Sequence, residues 1–208
     1  MTLCLVTDRR RRSVVEQCRA AVAAGIDLIQ VRERDLDGGA LSALVAGLVR
    51  TTRGTQTRVI VNERLDVALA CGADGVHLRG DSVPAAHARS MAPPGFLIGR
   101  SVREAGEAAA EAPSSDYLIA GTVFPSSSKP GRREWLGVEG LATIVRAVAV
   151  PVLAIGGISL DRIDAVARTG AAGIAAIELF FEGFEGDMPL ATTVREARLR
   201  FDSARSAS

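Results

Sequence analysis

Cys71-Gly72-Ala73-Asp74-Gly75-Val76 compresses a helix end, a stop and the start of a strand into six residues. Gly72 can take the left-handed backbone conformation that terminates a helix. The apolar run that follows, through His77 and Leu78, reads as a short strand. The same layout recurs as Ala24-Gly25-Ile26-Asp27-Leu28-Ile29 and as Thr169-Gly170-Ala171-Ala172-Gly173-Ile174. Working outward from these junctions, the chain alternates short apolar runs with longer amphipathic stretches. Strands are predicted over Thr2–Thr7, Leu28–Arg32, Arg58–Val61, Gly75–Leu78, Leu97–Ser101, Tyr117–Gly121, Pro151–Ile155 and Gly173–Ile177. Helices are predicted over Ser13–Ala24, Gly39–Arg53, Arg64–Cys71, Pro84–Met91, Arg103–Ala112, Val138–Ala147, Leu160–Arg168 and Leu190–Ser203. Two irregular stretches remain, Thr122–Leu136 and an acidic loop over Glu182–Pro189.

That is eight successive β–α units. Near-continuous apolar strands such as Val152-Leu153-Ala154-Ile155 suit a parallel sheet buried on both faces. A doubly wound open sheet produces similar local patterns, but eight units in succession favour a closed, compact (β/α)8 TIM barrel of the α/β class. At 208 residues with 48% apolar composition, the chain is expected to form one TIM-barrel domain over 1–208 with short loops.

Twenty-five basic against 24 acidic residues leave a formal charge of +1, without the basic excess of a general nucleic-acid or membrane-surface binder. All but one of the basic residues are arginine, and the single lysine is Lys129. Cys4, Cys18 and Cys71 form neither a CxxC pair nor a zinc-ligand spacing. The apolar run Leu3–Val6 precedes the arginines Arg9–Arg12, the reverse of a secretory leader. The expectation is a cytoplasmic protein. Its expected partners are small phosphorylated molecules and a second copy of itself in a homodimer, with no nucleic acid and no membrane.

In such a barrel the ligand binds at the C-terminal strand ends. Strand two delivers Gln30, Arg32 and Arg34, which alternate onto one face. Strand three delivers Asn62 and Glu63, strand four His77, Arg79 and Asp81, and strand five Arg100 and Ser101. Strand six leads through Thr122 into Ser126-Ser127-Ser128-Lys129-Pro130-Gly131; strand seven gives Gly156-Gly157 and strand eight Glu178. Arginine offers a planar fork to phosphate oxygens. Hydroxyls with a lysine add short donors and a point charge, and a Gly-Gly turn ahead of a helix lets backbone N–H groups approach an anion. Glu63 and Asp81, on adjacent strand ends, are candidate Mg²⁺ ligands, because Mg²⁺ needs only one or two carboxylates when phosphates complete its shell. Asp81 has two other uses open to it, pairing with Arg79 or capping the helix that begins at Pro84. His77, in an apolar strand context, reads as a buried histidine, and His87 as a solvated one on a helix.

Several stretches carry a family pattern: Leu5-Val6-Thr7-Asp8, Ile29-Gln30-Val31-Arg32-Glu33, Val61–Leu69, Gly72–Leu78 and Ile98-Gly99-Arg100-Ser101-Val102. Gly121-Thr122-Val123-Phe124-Pro125-Ser126-Ser127-Ser128-Lys129-Pro130-Gly131, Leu136–Leu141 and Pro151–Ile158 complete it. On these the chain resembles the thiamine phosphate synthase / TenI (thiazole tautomerase) family over nearly its full length. In the synthase branch the resemblance implies a TIM barrel that couples an aminopyrimidine methyl diphosphate to a thiazole phosphate, with Mg²⁺ assisting departure of pyrophosphate. It further implies that Gln30, Arg32, Asn62 and Lys129 hold the diphosphate and that Ser101 lies near the reacting centre. Ser126 and Ser128 would bind phosphate, and Gly156-Gly157 the thiazole phosphate through the Gly157 backbone.

The chain departs from that pattern in five places. Arg34 stands for a lysine, Asn62-Glu63 for Asn-Asp, Arg79-Gly80-Asp81-Ser82 for Gly-Gln-Glu-Asp, and Glu178 for a serine, while the tautomerase histidine falls at Thr122. A thiazole tautomerase and a non-catalytic binder of thiamine intermediates are therefore the alternatives to the synthase. Substitution Lys129→Ala is expected to weaken binding of phosphate or diphosphate ligands while leaving the thermal midpoint nearly unchanged. Unchanged affinity in a titration would remove Lys129 from the site.

Overall fold

The computed structural model describes residues 1–126, 134–185 and 189–206. Eight parallel strands close into a barrel in sequence order. They are β1 (Thr2–Val6), β2 (Leu28–Val31), β3 (Arg58–Asn62), β4 (Gly75–Leu78), β5 (Leu97–Val102), β6 (Tyr117–Gly121), β7 (Val152–Ile155) and β8 (Gly173–Ala176). The connecting helices are α1 (Val14–Ala24), α2 (Gly38–Thr52), α3 (Leu65–Ala70), α4 (Ala85–Met91), α5 (Ala105–Glu111), α6 (Gly137–Ala147) and α7 (Ile163–Ala167); α8 (Glu178–Glu185) and α9 (Leu190–Ser206) follow β8.

The junctions that predicted the strands also tie them together. Gly25 and Gly72 have φ of 76° and 65°, the left-handed conformation that ends α1 and releases the chain after α3. The aspartate two residues later reaches sideways. Asp27 accepts the Leu3 N–H, and Asp74 accepts the Val59 N–H, each at 2.7 Å. Asp116 repeats the contact on the Ile98 N–H at 2.7 Å. Before each of β2, β4 and β6, one carboxylate thus bonds an amide of the preceding strand. The last repeat has Ala172 in that place, and there the Ala172 carbonyl accepts the Thr2 N–H at 2.9 Å, where β8 meets β1.

Outward residues of the strands pack against the helices, with Leu3, Leu5, Ile29, Val59, Val61, Val76, Ile98 and Leu118 all buried. Inward residues form a smaller interior core of Cys4, Val6, Leu28, Ile60, Tyr117, Ile119, Leu153 and Ala175. Glycines make room for the bulkier members of this core. A Cβ on Gly99 would overlap the Tyr117 ring and His77 Nδ1. The Tyr117 and His77 rings stack, with centroids 5.8 Å apart and planes at 28°.

Two expectations are corrected. The acidic loop expected over Glu182–Pro189 is entered through a helix: α8 begins at Glu178 and runs to Glu185. Its buried Leu179, Phe180 and Phe181 supply the packing that the flanking glycines and acids conceal in the sequence. The helix expected over Leu160–Arg168 is a 3-10 turn, Leu160–Arg162, followed by the five-residue α7. A regular helix N-terminus therefore does not stand behind Gly156-Gly157.

Because Gly99 is filled by its neighbours, Gly99→Ala overpacks the interior. It is expected to cost about 1–3 kcal/mol, or roughly 2–4 °C of thermal midpoint per kcal/mol at this size. Adding Tyr117→Leu should recover part of the loss. A melting curve unchanged in Gly99→Ala would contradict this packing.

Candidate active site

The two-residue period that buries Leu28, Ile60, Gly75 and Gly99 inside the barrel brings Gln30, Asn62, His77 and Ser101 into the next layer up. One step further come Arg32, Arg79 and Arg103. All seven line a cavity of about 580 Å³ at the C-terminal strand ends, with Arg34, Asp81, Glu107, Thr122, Ser126, Gly156, Gly157 and Glu178. Among the described residues, four arginines and three carboxylates are its charged groups.

The floor is made of paired side chains. Gln30 donates to Asn62 Oδ1 at 3.0 Å, both residues being buried. His77 Nε2 lies 2.8 Å from Ser101 Oγ. His77 Nδ1 and the Tyr117 hydroxyl are buried without a hydrogen-bond partner. Burial, helped by the Arg100 charge, pushes the His77 imidazole down to about 3, so it stays neutral at physiological pH. The sequence reading of His77 as a buried histidine agrees with this. Its one described hydrogen bond, however, is to a cavity-lining hydroxyl.

The arginine wall depends on the segment that follows β2. In Arg32-Glu33-Arg34 the arginines face the mouth and Glu33 turns the other way. Glu33 accepts the Thr7 hydroxyl at 2.5 Å and the Arg9 N–H at 3.3 Å, while Thr7 Oγ1 accepts the Arg32 N–H at 3.1 Å. Burial raises the Glu33 carboxyl above its usual value against these bonds. Burial, followed by the like charges of Arg34, Arg79 and Arg10, pulls the Arg32 guanidinium below its usual value. Cations crowded in this way gain most from a polyanion placed among them.

The acids take a different course. Glu63 has φ of 68°, unusual for a residue with a side chain, and its carboxylate accepts the Arg79 N–H at 2.6 Å. Asp81 pairs with the Arg79 guanidinium at 2.7 Å. Of its two alternative uses, Asp81 takes the pairing with Arg79; the first amide of α4, the Ala85 N–H, is bonded instead by the Glu111 carboxylate at 3.2 Å. Both expected metal ligands are thus bonded to Arg79, one to its backbone and one to its side chain. Asp81 lines the cavity and Glu63 is not among its lining residues. Among the described residues no cluster of three or more metal-ligating side chains occurs.

At the strand-seven end, Gly156 and Gly157 have φ of 99° and 61°. A Cβ on Gly156 would overlap Thr122, and one on Gly157 would overlap Phe124 and Pro125. The loop after β6 therefore lies directly on this turn, which only glycine allows. The Gly156 carbonyl accepts the Phe124 N–H at 3.1 Å, and the Gly157 carbonyl accepts Arg162 Nη1 at 2.7 Å. Protein donors thereby occupy the oxygens that would repel an anion.

Of the other residues expected in the site, Ser126 lines the cavity, whereas Ser128 and Lys129 lie outside the described residues. Arg100 does not reach the mouth. It points into the helix layer, where it pairs with Glu111 at 3.1 Å and donates to the Val83 carbonyl at 2.8 Å. Alternation along β5 explains this, since Ser101 faces in and Arg100 out. Arg103 and Glu107 were missed, although Arg103 is one inward step beyond Ser101 and was open to the same reading.

An eight-stranded parallel barrel with its side-chain chemistry gathered at one mouth is the architecture of a (β/α)8 barrel enzyme. A family model described as thiamine monophosphate synthase matches residues 3–180. A thiamine-phosphate synthase of Methanoregula boonei is 42% identical over 93% of this chain and 88% of that one. One from Methanoculleus marisnigri is 38% identical over 98% and 97%. The solved thiamine phosphate pyrophosphorylase of Pyrococcus furiosus superposes with a TM-score of 0.84 at 36% identity, covering 98% of this chain and 96% of that one. The chain belongs to the thiamine monophosphate synthase family.

The buried His77 makes stability fall with acid. Its folded value of about 3 lies below the unfolded 6.5. Between those limits the unfolded chain binds a proton that the folded chain refuses, so stability present above pH 6.5 is lost as pH falls toward 3. The loss is up to about 1.4 kcal/mol per pH unit. In His77→Gln the slope of unfolding free energy between pH 6 and 4.5 should be shallower by up to one proton. Equal slopes would contradict a neutral buried imidazole.

Proposed function

We propose that the protein is a transferase that couples hydroxymethylpyrimidine diphosphate to thiazole phosphate, giving thiamine phosphate and pyrophosphate. The convergence of Arg32, Arg34 and Arg79 on one cavity, above a floor of paired neutral groups, carries this reading. The carbon–oxygen bond of the pyrimidine methylene breaks and its electron pair leaves on the diphosphate. The thiazole nitrogen donates its lone pair to the cationic methylene, forming the new carbon–nitrogen bond. Such a step demands stabilisation of charge on the leaving group and exclusion of water from the cation. The arginines supply the first. Gln30, Asn62, Ser101 and the neutral His77 supply hydrogen-bonding groups that bring no competing charge to the pyrimidine. Lys129, Ser126 and Ser128 join the anion site in this reading on the strength of the family resemblance.

Of the two expected ligands, Mg²⁺ fits this site through Asp81. Asp81 lines the cavity, and one carboxylate with diphosphate oxygens and waters meets the ion's needs. Glu63 is not among the cavity-lining residues and one of its oxygens is bonded to the Arg79 N–H, so it does not fit as a ligand. When bound, the ion would neutralise part of the leaving group's charge. The tautomerase alternative has less support, since Thr122 stands at its histidine position and His77 is buried and neutral.

No helix among the described residues is long and apolar enough to cross a membrane. The three cysteines are free, which suits the reducing cytoplasm we assign to the protein. The reading retains small phosphorylated substrates and a homodimer as partners.

An assay with both substrates should yield thiamine phosphate and pyrophosphate in equal amounts, with a requirement for Mg²⁺. Arg32→Ala and Ser101→Ala are each expected to lower kcat/KM by about 10²-fold or more. Asp81→Asn should raise the Mg²⁺ concentration needed for half-maximal rate, and Glu63→Gln should not. No coupling by the wild-type protein would end this reading.

A further inference from the structure

One carboxylate of the mouth stands where an anion is least able to tolerate it. Glu178 is the first residue of α8 and lines the cavity with Gly156, Gly157 and Ile177. Phosphate sites of these barrels lie at the ends of strands seven and eight, so an anionic ligand at the Gly-Gly turn meets this carboxylate. Among the described residues, a cation from the other end of the chain faces it. Arg11, in the loop between β1 and α1, places Nη2 at 3.9 Å from Glu178 Oε1. Its guanidinium carbon lies 5.4 Å from the centroid of the buried Phe181 ring. Phe181 is three residues beyond Glu178 on the same helix face, so one helix supplies both the charge and the ring that position the guanidinium.

The rest of the arginine run does other work. Arg9 pairs with Asp35, Arg10 with Asp8, and Arg12 with Glu16. Arg11 alone in this run has an ion pair to a cavity-lining acid among the described residues. The Arg11 N–H donates to the Asp8 carbonyl at 3.2 Å. Asp8 is in turn fastened by Gln17 and by Arg10, which fixes the loop that presents Arg11.

We propose that Arg11 is a positioning residue for Glu178, holding its carboxylate toward the rim and offsetting its charge so that a phosphorylated acceptor can seat beside Gly156 and Gly157. The proposal rests on the coupling reading only for the identity of that acceptor. The pair makes acceptor affinity depend on a loop that does not line the cavity. It also explains how a barrel can carry an acid at its phosphate end.

Four proteins decide the matter: wild type, Arg11→Ala, Glu178→Gln and the double variant. Each is titrated with inorganic phosphate and with thiazole phosphate, and assayed at varied thiazole phosphate with saturating pyrimidine diphosphate. Arg11→Ala should weaken both titrated ligands and raise the acceptor KM about tenfold, with kcat and the pyrimidine diphosphate KM within about twofold. Glu178→Gln should bind the acceptor at least as well as wild type. The double variant should return to within about threefold of Glu178→Gln, because the charge that Arg11 offsets is gone. Unchanged acceptor affinity in Arg11→Ala overturns the proposal. So does a double variant as weak as Arg11→Ala, since Arg11 would then be holding the loop and not the carboxylate. If wild type fails to couple the substrates yet phosphate affinity follows this pattern, the coupling reading falls and the ion pair stands. If wild type couples and the pattern is absent, the reverse holds.

Discussion

Closure of β8 onto β1 is the constraint on which the rest of the structure depends. Thr2 to Leu5 pair in register with Gly173 to Ala176, and a Cβ on Gly173 would overlap the Thr2 backbone. Once the ring is shut no strand can slip by one residue, because a slip would move every side chain to the opposite face. The inward set is therefore fixed strand by strand. Cys4, Leu28, Ile60 and Tyr117 fill the interior; Gln30, Asn62, His77 and Ser101 roof it; the arginines stand above. The active-site layout thus follows from the same alternation that builds the core.

Charge at the mouth is organised around arginine. Asp81 is paired with Arg79, Glu178 with Arg11, and the Arg103 N–H donates to Glu107 at 2.7 Å. Arg32 has no such ion pair among the described residues. Burial and the nearby Arg34, Arg79 and Arg10 all work against its charge. A diphosphate bound as proposed would offset the electrostatic cost of keeping these cations together, and the two neutral pairs below add no charge of their own.

Much of this was legible in the sequence, and the reasons are physical. The glycine stops at 25, 72 and 170 marked three strand starts because a left-handed residue is needed there, and the closed barrel followed from eight successive β–α units. Alternation along Gln30-Val31-Arg32-Glu33-Arg34 placed Gln30, Arg32 and Arg34 on the cavity side, where they are found. What was not legible depends on contacts distant in sequence. Asp27 and Asp74 were given no role within the glycine junctions and Asp116 was given none at all, yet each bonds the adjacent strand. Glu63 read as a metal ligand, but its positive φ and extra methylene carry the carboxylate to the Arg79 N–H. Helix α8 was hidden because its buried Leu179-Phe180-Phe181 is short and flanked by acids and glycines. Arg11 passed as one of four consecutive arginines, since only folding brings it to Glu178.

The central claim is that Arg32, just beyond β2 and crowded by Arg34, Arg79 and Arg10, holds the diphosphate. Calorimetric titration of inorganic pyrophosphate into wild-type and Arg32→Ala protein at one fixed salt concentration tests it most directly. Loss of one charge-assisted, bidentate contact is expected to weaken binding by at least about tenfold. Equal affinities would contradict the account, because the anion would then sit elsewhere than in the arginine-lined mouth.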